Sequence, residues 1–158
     1  MSDPKPSFVH VSYIASTADK VFAALTDGKF TQEYWAGRVV ESDWKKGSPV
    51  RFFRRGGGED YSVRGVVLEH DPPSLLSYTW EHMAPGAPRT PATRVTFTLK
   101  QVTPNNVRLQ VVHEAHEPGS ELRDEVREGW SAILSSLKSY LETGRPLEAT
   151  QRWESEQR

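Results

Sequence analysis

From residue 122 to residue 141 the apolar side chains Leu122, Val126, Trp130, Ile133, Leu134, Leu137 and Leu141 recur at steps of three and four. That spacing draws a single stripe along one helix. A helix starting near Ser120, after Glu117-Pro118-Gly119, and ending at Thr143 is roughly 36 Å long at 1.5 Å per residue. Seven antiparallel strands spaced at ~4.8 Å are ~29 Å across, so this one helix can cover a whole sheet face. Gly129 lies inside the stripe. Glycine in a helix costs ~1 kcal/mol relative to alanine, so its surroundings require either close approach or empty space.

The rest of the chain supplies the sheet. Residues Phe8 to Ala15 alternate, with Val9, Val11 and Tyr13 on one face and His10 and Ser12 on the other, which predicts a strand. Ser16 with Asp19 resembles a capping box, and Gly28 reads as a C′ stop for the helix between them. A short helical piece over Lys29 to Trp35 leads on to further strands at Arg38–Trp44, Val50–Arg55, Tyr61–His70, Leu75–His82, Val95–Leu99 and Val107–His113. Their connections carry turn chemistry: Lys45-Lys46-Gly47-Ser48-Pro49, the hairpin Arg55–Asp60, Asp71-Pro72-Pro73 and the Pro/Gly-rich stretch after His82. The order is β-α-α-β6-α, an α+β domain with a curved antiparallel sheet closed by a long C-terminal helix.

Composition narrows the partners. With 20 basic and 21 acidic residues the formal charge is −1, which argues against duplex DNA or an anionic membrane as a bulk electrostatic partner. The absence of cysteine excludes disulfides and thiolate metal sites. The first residues lack a basic stretch followed by an apolar one, and no apolar run approaches the ~20 residues of a bilayer span. The expectation is a cytoplasmic chain without membrane insertion. It divides into an N-terminal extension over 1–7, one domain over 8–144, and a polar tail over 145–158 that is either frayed or a docking segment carrying Trp153.

The segments VLEHDPPSLLSYTW, RVTFTL and EGWSAILSSLKSYLETG together resemble the activator of heat-shock protein 90 ATPase homologue family, of the START/Bet v 1-like (SRPBCC) superfamily. The resemblance runs from about Phe8 to Gly144. It implies a helix-grip fold, in which a cavity of ~300–1,000 Å³, a usual ligand-site size, lies between sheet and helix. Eukaryotic co-chaperones of the family join this domain to a separate N-terminal domain, so chaperone contact is not the expected role here.

Strand parity points the candidate site residues into that space. Phe52, Leu76, Tyr78, Trp80 and Phe97 come from the sheet; Val126, Gly129, Trp130 and Ile133 come from the helix. The bland alternative is that these residues fill an ordinary core. His82 continues the phase of Tyr78 and Trp80, and His113 that of Val107, Leu109 and Val111, with His116 near the rim. Histidine titrates near neutral pH and serves as acid–base or ligand-orienting group, so His82 and His113 are the catalytic candidates. Tyr78 or Arg94 would then orient a substrate. A histidine at a strand end equally suits a purely structural role. Glu81 and Glu114 fall on the opposite face. No HxH or HExxH spacing suggests a metal, and no nucleophile elbow, phosphate loop or dinucleotide fingerprint is present; no cofactor is expected. The arginines of Val50–Arg55, with Arg64 and Arg94, read as a solvated face rather than a nucleic-acid surface. The expectation is a binding module for a small hydrophobic or amphipathic molecule, with a protein-interaction module or a cyclase-, hydratase- or hydrolase-like enzyme as alternatives. A homodimer is left open.

Overall fold

The computed structural model describes residues 5–56, 61–83, 92–115 and 124–156, with the backbone alone at 5–7, 82, 124–127 and 154–156. Strand β1 (Lys5–Ile14) leads to helices α1 (Ala18–Thr26) and α2 (Gly28–Tyr34). Six strands follow: β2 (Arg38–Ser42), β3 (Pro49–Arg54), β4 (Tyr61–Asp71), β5 (Leu75–His82), β6 (Thr93–Thr103) and β7 (Asn106–Ala115). Helices α3 (Asp124–Thr143) and α4 (Glu148–Glu156) complete the described chain. All pairings are antiparallel and the sheet runs β1-β7-β6-β5-β4-β3-β2. The crossover that brings β1 beside β7 leaves β1 and β2 as the two edges.

One face of this sheet is apolar and buried. Val50, Phe52, Val63, Val67, Leu76, Tyr78, Val95, Phe97, Val107, Leu109 and Val111 are all buried there, and Trp130, Leu134 and Leu137 of α3 close over it. At 1.5 Å per residue, the 20 residues of α3 reach about 30 Å. Each large apolar side chain so buried contributes about 1.5–3 kcal/mol, which is why the heptad-like stripe, rather than helix propensity, determines where α3 lies.

Several local expectations are corrected. The N-cap of α1 is Thr17, not Ser16: Thr17 Oγ1 accepts from Lys20 N, and Gln101 Oε1 of β6 accepts from Ala18 N at 2.7 Å. Gly28 follows the C-cap Asp27 of α1, at the expected C′ position, and also opens α2; a Cβ there would lie 2.6 Å from Val39 Cγ1 and 2.8 Å from the Val40 carbonyl. Glycine is required for close approach of helix to strand. The second strand ends at Ser42, since Trp44 takes a left-handed φ of 58° and turns its indole N–H to the Thr26 carbonyl at 2.9 Å. The sixth is longer than the Val95–Leu99 alternation, because the backbone pairing with β7 continues from Gln101↔Val107 to Thr103↔Asn106, where the Gln101 side-chain amide lies within hydrogen-bond reach of the Ser16, Thr103 and Asn106 carbonyls.

Along β1 the apolar triad is the solvent face: Val9, Val11 and Tyr13 are 54%, 41% and 54% exposed, while Ile14 is buried. The free edge of β1 is protected near its end, where Lys138 Nζ donates to the Tyr13 carbonyl and Glu142 accepts from Ala15 N. Residues 148–156, expected as polar tail, form α4. Ser136 and Thr150 are fully buried, their hydroxyls lie 3.0 Å apart, and Leu147 N donates to Ser136 Oγ. The expected start of the long helix near Ser120, the tip of the Arg55–Asp60 hairpin, the loop after Met83 and His116 lie outside the described residues.

Candidate functional site

Between the sheet and α3 a cluster of aromatic rings packs together, at positions that follow from period-two parity. Leu76, Tyr78 and Trp80 on β5 and Phe97 on β6 are buried, as is Phe52 on β3. Trp130 stands over them, with ring centroids 5.5 Å from Trp80 and 5.9 Å from Phe97 in tilted and T-shaped arrangements. Such geometry is favoured by the ring quadrupoles. Ile133 packs against this cluster partly buried. The side chains of His82 and Val126 lie outside the described residues, although His82 pairs in register with Val63 at the end of β5.

Trp35 is a member of this set that sequence reasoning missed. Its ring lies 5.0 Å from Phe52, 5.4 Å from Trp130 and 6.4 Å from Trp80. Reading Lys29–Trp35 as a mere connector hid it. The signal lay in the next two residues: Ala36 and Gly37 both adopt positive φ, and this left-handed turn swings Trp35 back under the sheet. Tyr34 beside it is fully buried and donates to the Ala24 carbonyl at 2.7 Å. Burial, then the neighbouring Tyr78 and Tyr140, raises its pKa well above the usual phenol value.

His113 has no exposed surface. Trp130 Nε1 donates to its Nδ1 at 2.9 Å, and Thr93 Oγ1 lies 2.6 Å from its Nε2. An indole N–H can only donate, so Nδ1 must be the bare nitrogen and the proton resides on Nε2. The chain of donors then runs Trp130 to His113, His113 to Thr93, and Thr93 to the Trp80 carbonyl at 3.2 Å. Both ring nitrogens are used within the protein. As an acid–base candidate His113 is therefore recast: in this arrangement it orients Trp130 and has neither a lone pair nor an N–H for a substrate.

The charged candidates stand on the other face. Arg94 makes a double contact with Glu114 Oε2 at 2.7 and 3.0 Å, and Arg64 reaches Glu81 at 3.4 Å. The guanidinium of Arg94 is thus on the outer surface and cannot orient anything held under α3. Arg51 lies over the Tyr61 ring at 5.7 Å, and Arg55 donates to the Gln32 carbonyl. These arginines are tied to protein partners rather than presented as a groove. Among the described residues no group of three or more His, Asp or Glu is placed to hold a metal ion.

The aromatic rings belong to one buried hydrophobic core, and Gly129 beside Trp130 is half-buried. A Cβ built on Gly129 meets no atom within 4 Å among the described residues, so the glycine is not there for close packing. Two buried hydroxyls, Tyr78 Oη and Ser12 Oγ, have no hydrogen-bond partner among the described residues.

Residues 15–142 match the family described as Activator of Hsp90 ATPase homolog 1-like protein. The chain belongs to this family. No curated protein matches it. Among solved structures, CalU16 from Micromonospora echinospora aligns with a TM-score of 0.65 at 21% identity, covering 94% of this chain and 81% of that one. DynU16, a putative protein in the dynemicin biosynthetic locus, aligns at 0.68 and 24% identity over 88% of this chain and 48% of its own. PFC0360w, an HSP90 activator from Plasmodium falciparum, aligns at 0.68 and 20% identity over 85% and 94%. At these identities the likeness is one of fold, the helix-grip arrangement that the family shares. No helix among the described residues is long and apolar enough to cross a membrane.

Proposed function

We propose that this family member is a non-catalytic binding module for a small hydrophobic or amphipathic molecule held between the sheet and α3. The observation that carries the reading is Gly129. A residue that costs ~1 kcal/mol of helix propensity stands beside Trp130, and a methyl group added to it would touch nothing among the described residues. Gly129 is half-buried and precedes Trp130, whose ring packs with Trp35, Trp80 and Phe97; a ligand entering beside the glycine would meet the aromatic walls and few polar groups that such sites combine. The occurrence of DynU16, of similar fold, in a biosynthetic locus agrees with a small-molecule role. An acid–base role for His113 has less support, because both its nitrogens are engaged. Native mass spectrometry of protein purified from its own host tests the proposal. A retained small molecule, released on denaturation, supports it; a bare chain counts against it.

A second reading rests on a separate observation. The exposed Val9, Val11 and Tyr13 of β1 form an apolar strip of the sort that marks protein contacts, and PFC0360w is described as an HSP90 activator. Under this reading the strip meets a chaperone or a second copy of the chain. It predicts several-fold stimulation of an HSP90 ATPase at micromolar protein, or a concentration-dependent dimer. Each would be abolished by Val11→Lys. The ligand-binding reading predicts no stimulation.

A further inference from the structure

β1 is an edge strand: it pairs with β7 on one side and with no other strand among the described residues. Edge strands present unpaired backbone groups and are usually blunted by proline, lysine or a bulge. On β1 these devices stand at the two ends. Pro6 and a register shift between Pro6 and Phe8 interrupt one end, and Lys138 Nζ caps the Tyr13 carbonyl at the other. Between them lies an unblunted window from Phe8 to Ser12, with His10 at its centre.

The caps also give the backbone phase of this window. The Tyr13 carbonyl and the Ala15 N–H both bond α3 side chains, so they point away from β7. Backbone groups alternate from side to side along an antiparallel strand, so those of Val9 and Val11 face the open side too. A second copy of the strand, laid antiparallel about a two-fold axis through His10, sets Val9 opposite the partner's Val11. Each such pair exchanges two backbone bonds, and the valines meet on the outer face, where they are 54% and 41% exposed. On the inner face the large Phe8 falls opposite the partner's small Ser12. An axis through Val11 fits less well, because it sets Val9 against a Tyr13 carbonyl already taken by Lys138. On α3, the face that carries Lys138 also carries Ser131 and Ser135, both exposed. Their small side chains leave room for the partner's helix.

This axis sets His10 opposite the partner's His10 as a non-hydrogen-bonded pair, the closer antiparallel type at about 4.5 Å between Cα atoms. Within one chain His10 stacks on Phe8 at 6.1 Å. Of the titratable groups on the flanking elements, His113 of β7 is buried with both nitrogens bonded. Lys138 and Glu142 of α3 bond each other and the β1 backbone, and Glu128 is exposed one turn before Ser131. Burial lowers the His10 pKa below its usual value, so the imidazole is neutral at neutral pH and charges only in acid. Resting on the second reading above, we propose that the partner met by β1 is a second copy of this chain, paired antiparallel about His10, and that acid separates the two copies by charging the facing imidazoles. Like charges directly opposite on paired strands are destabilising. The dimer therefore binds these protons less readily than the monomer, and acid shifts the equilibrium toward the monomer.

Sedimentation velocity over a dilution series tests the association, and cysteine cross-linking tests the register in a chain with no cysteine of its own. Near neutral pH the wild type should sediment as a concentration-dependent dimer. Under mild oxidation His10→Cys should link to itself about tenfold faster than Val11→Cys, whose diagonal separation exceeds disulfide reach. If His10→Cys does not fold, a mixture of Val9→Cys and Val11→Cys proteins should link to each other rather than to themselves. Between about pH 8 and about pH 5 the wild-type dimer should weaken about tenfold or more, as apposed like charges require. His10→Gln should stay within about threefold over that range, since it has no proton to gain there; the Glu142 contact titrates below it. A dimer that links faster through Val11→Cys, or through neither cysteine, lies at another register or surface and overturns this inference while the second reading stands. Acid dissociation shared by His10→Gln, or absent from the wild type, overturns the role of His10. A wild type that is monomeric at every concentration and pH overturns the whole inference. Stimulation of an HSP90 ATPase that is lost in Val11→Lys would then keep the second reading alive without it, and no stimulation would remove both.

Discussion

Trp130 on α3 donates its indole proton to Nδ1 of His113 on β7 across 2.9 Å, joining the closing helix to the floor of the sheet by a bond between two buried rings. This polar contact fixes the rotation of α3 in a way that apolar packing alone does not, because a slip of one residue would strand both a donor and an acceptor. Nitrogen-detected NMR of the imidazole should find the Nε2–H tautomer. In Trp130→Phe that preference should weaken, since nothing then donates to Nδ1. His113→Phe should cost about 1–3 kcal/mol through the orphaned indole N–H, measurable by denaturant titration. An Nδ1–H tautomer in the wild type would contradict the bond as assigned.

Gly65 and Gly129 separate two uses of glycine. A Cβ on Gly65 would sit 1.7 Å from the Thr79 carbonyl oxygen on the neighbouring strand. Gly65→Ala should therefore destabilise by about 3 kcal/mol, near the top of the overpacking range. Gly129→Ala should gain up to ~1 kcal/mol of helix propensity. Thermal melts of both variants check this; a destabilised Gly129→Ala would show that the helix is packed there after all.

Much of this fold is legible in the order of residues alone. The 3,4-spaced stripe ending at Leu141 and the period-two alternations of β6 and β7 reflect burial on one face only, and burial is what patterns a sequence. The inward phase of Tyr78, Trp80 and His113 comes from the same parity. What escapes depends on tertiary neighbours. The exposure of Val9, Val11 and Tyr13 is a matter of which face α3 covers, and alternation alone is symmetric between faces. Trp35 enters the site through the left-handed turn at Ala36 and Gly37. The role of Gly28 lies in a contact with β2, and the Trp130–His113–Thr93 relay joins residues up to 37 positions apart by number. No local window contains it.

The C-terminal helix supplies a third test. Ser136 Oγ accepts from Leu147 N and meets Thr150 Oγ1, both at 3.0 Å, and Thr150 Oγ1 also donates to the Leu147 carbonyl. Ser136→Ala removes the centre of this clasp. The expected loss is about 1–2 kcal/mol, and hydrogen exchange at Leu147 should accelerate well before that of β6 and β7. Unchanged exchange at Leu147 would show that α4 is held by other contacts.

Glu142 provides a pH dependence. The Ala15 N–H, then Lys138, lowers its carboxyl pKa below the ordinary value of 4.5. The folded protein thus binds this proton less readily than the unfolded chain. The resulting stabilisation is present above about pH 4.5 and is lost as pH falls through the folded value. Melting temperatures recorded down this range should fall less steeply for Glu142→Gln than for the wild type. Identical slopes would mean that the contact at the β1 edge contributes nothing in solution.

A ligand space beside Gly129 and Trp130 underlies the proposed function. Its most direct measurement is the titration of an apolar fluorescent dye into wild-type protein and into Gly129→Leu, with melting temperature followed in parallel. The predicted result is saturable binding to the wild type and at least tenfold weaker binding to a Gly129→Leu protein that still melts cooperatively near the wild-type temperature. Absence of dye binding to the wild type, with Gly129→Leu destabilised by overpacking, would contradict it.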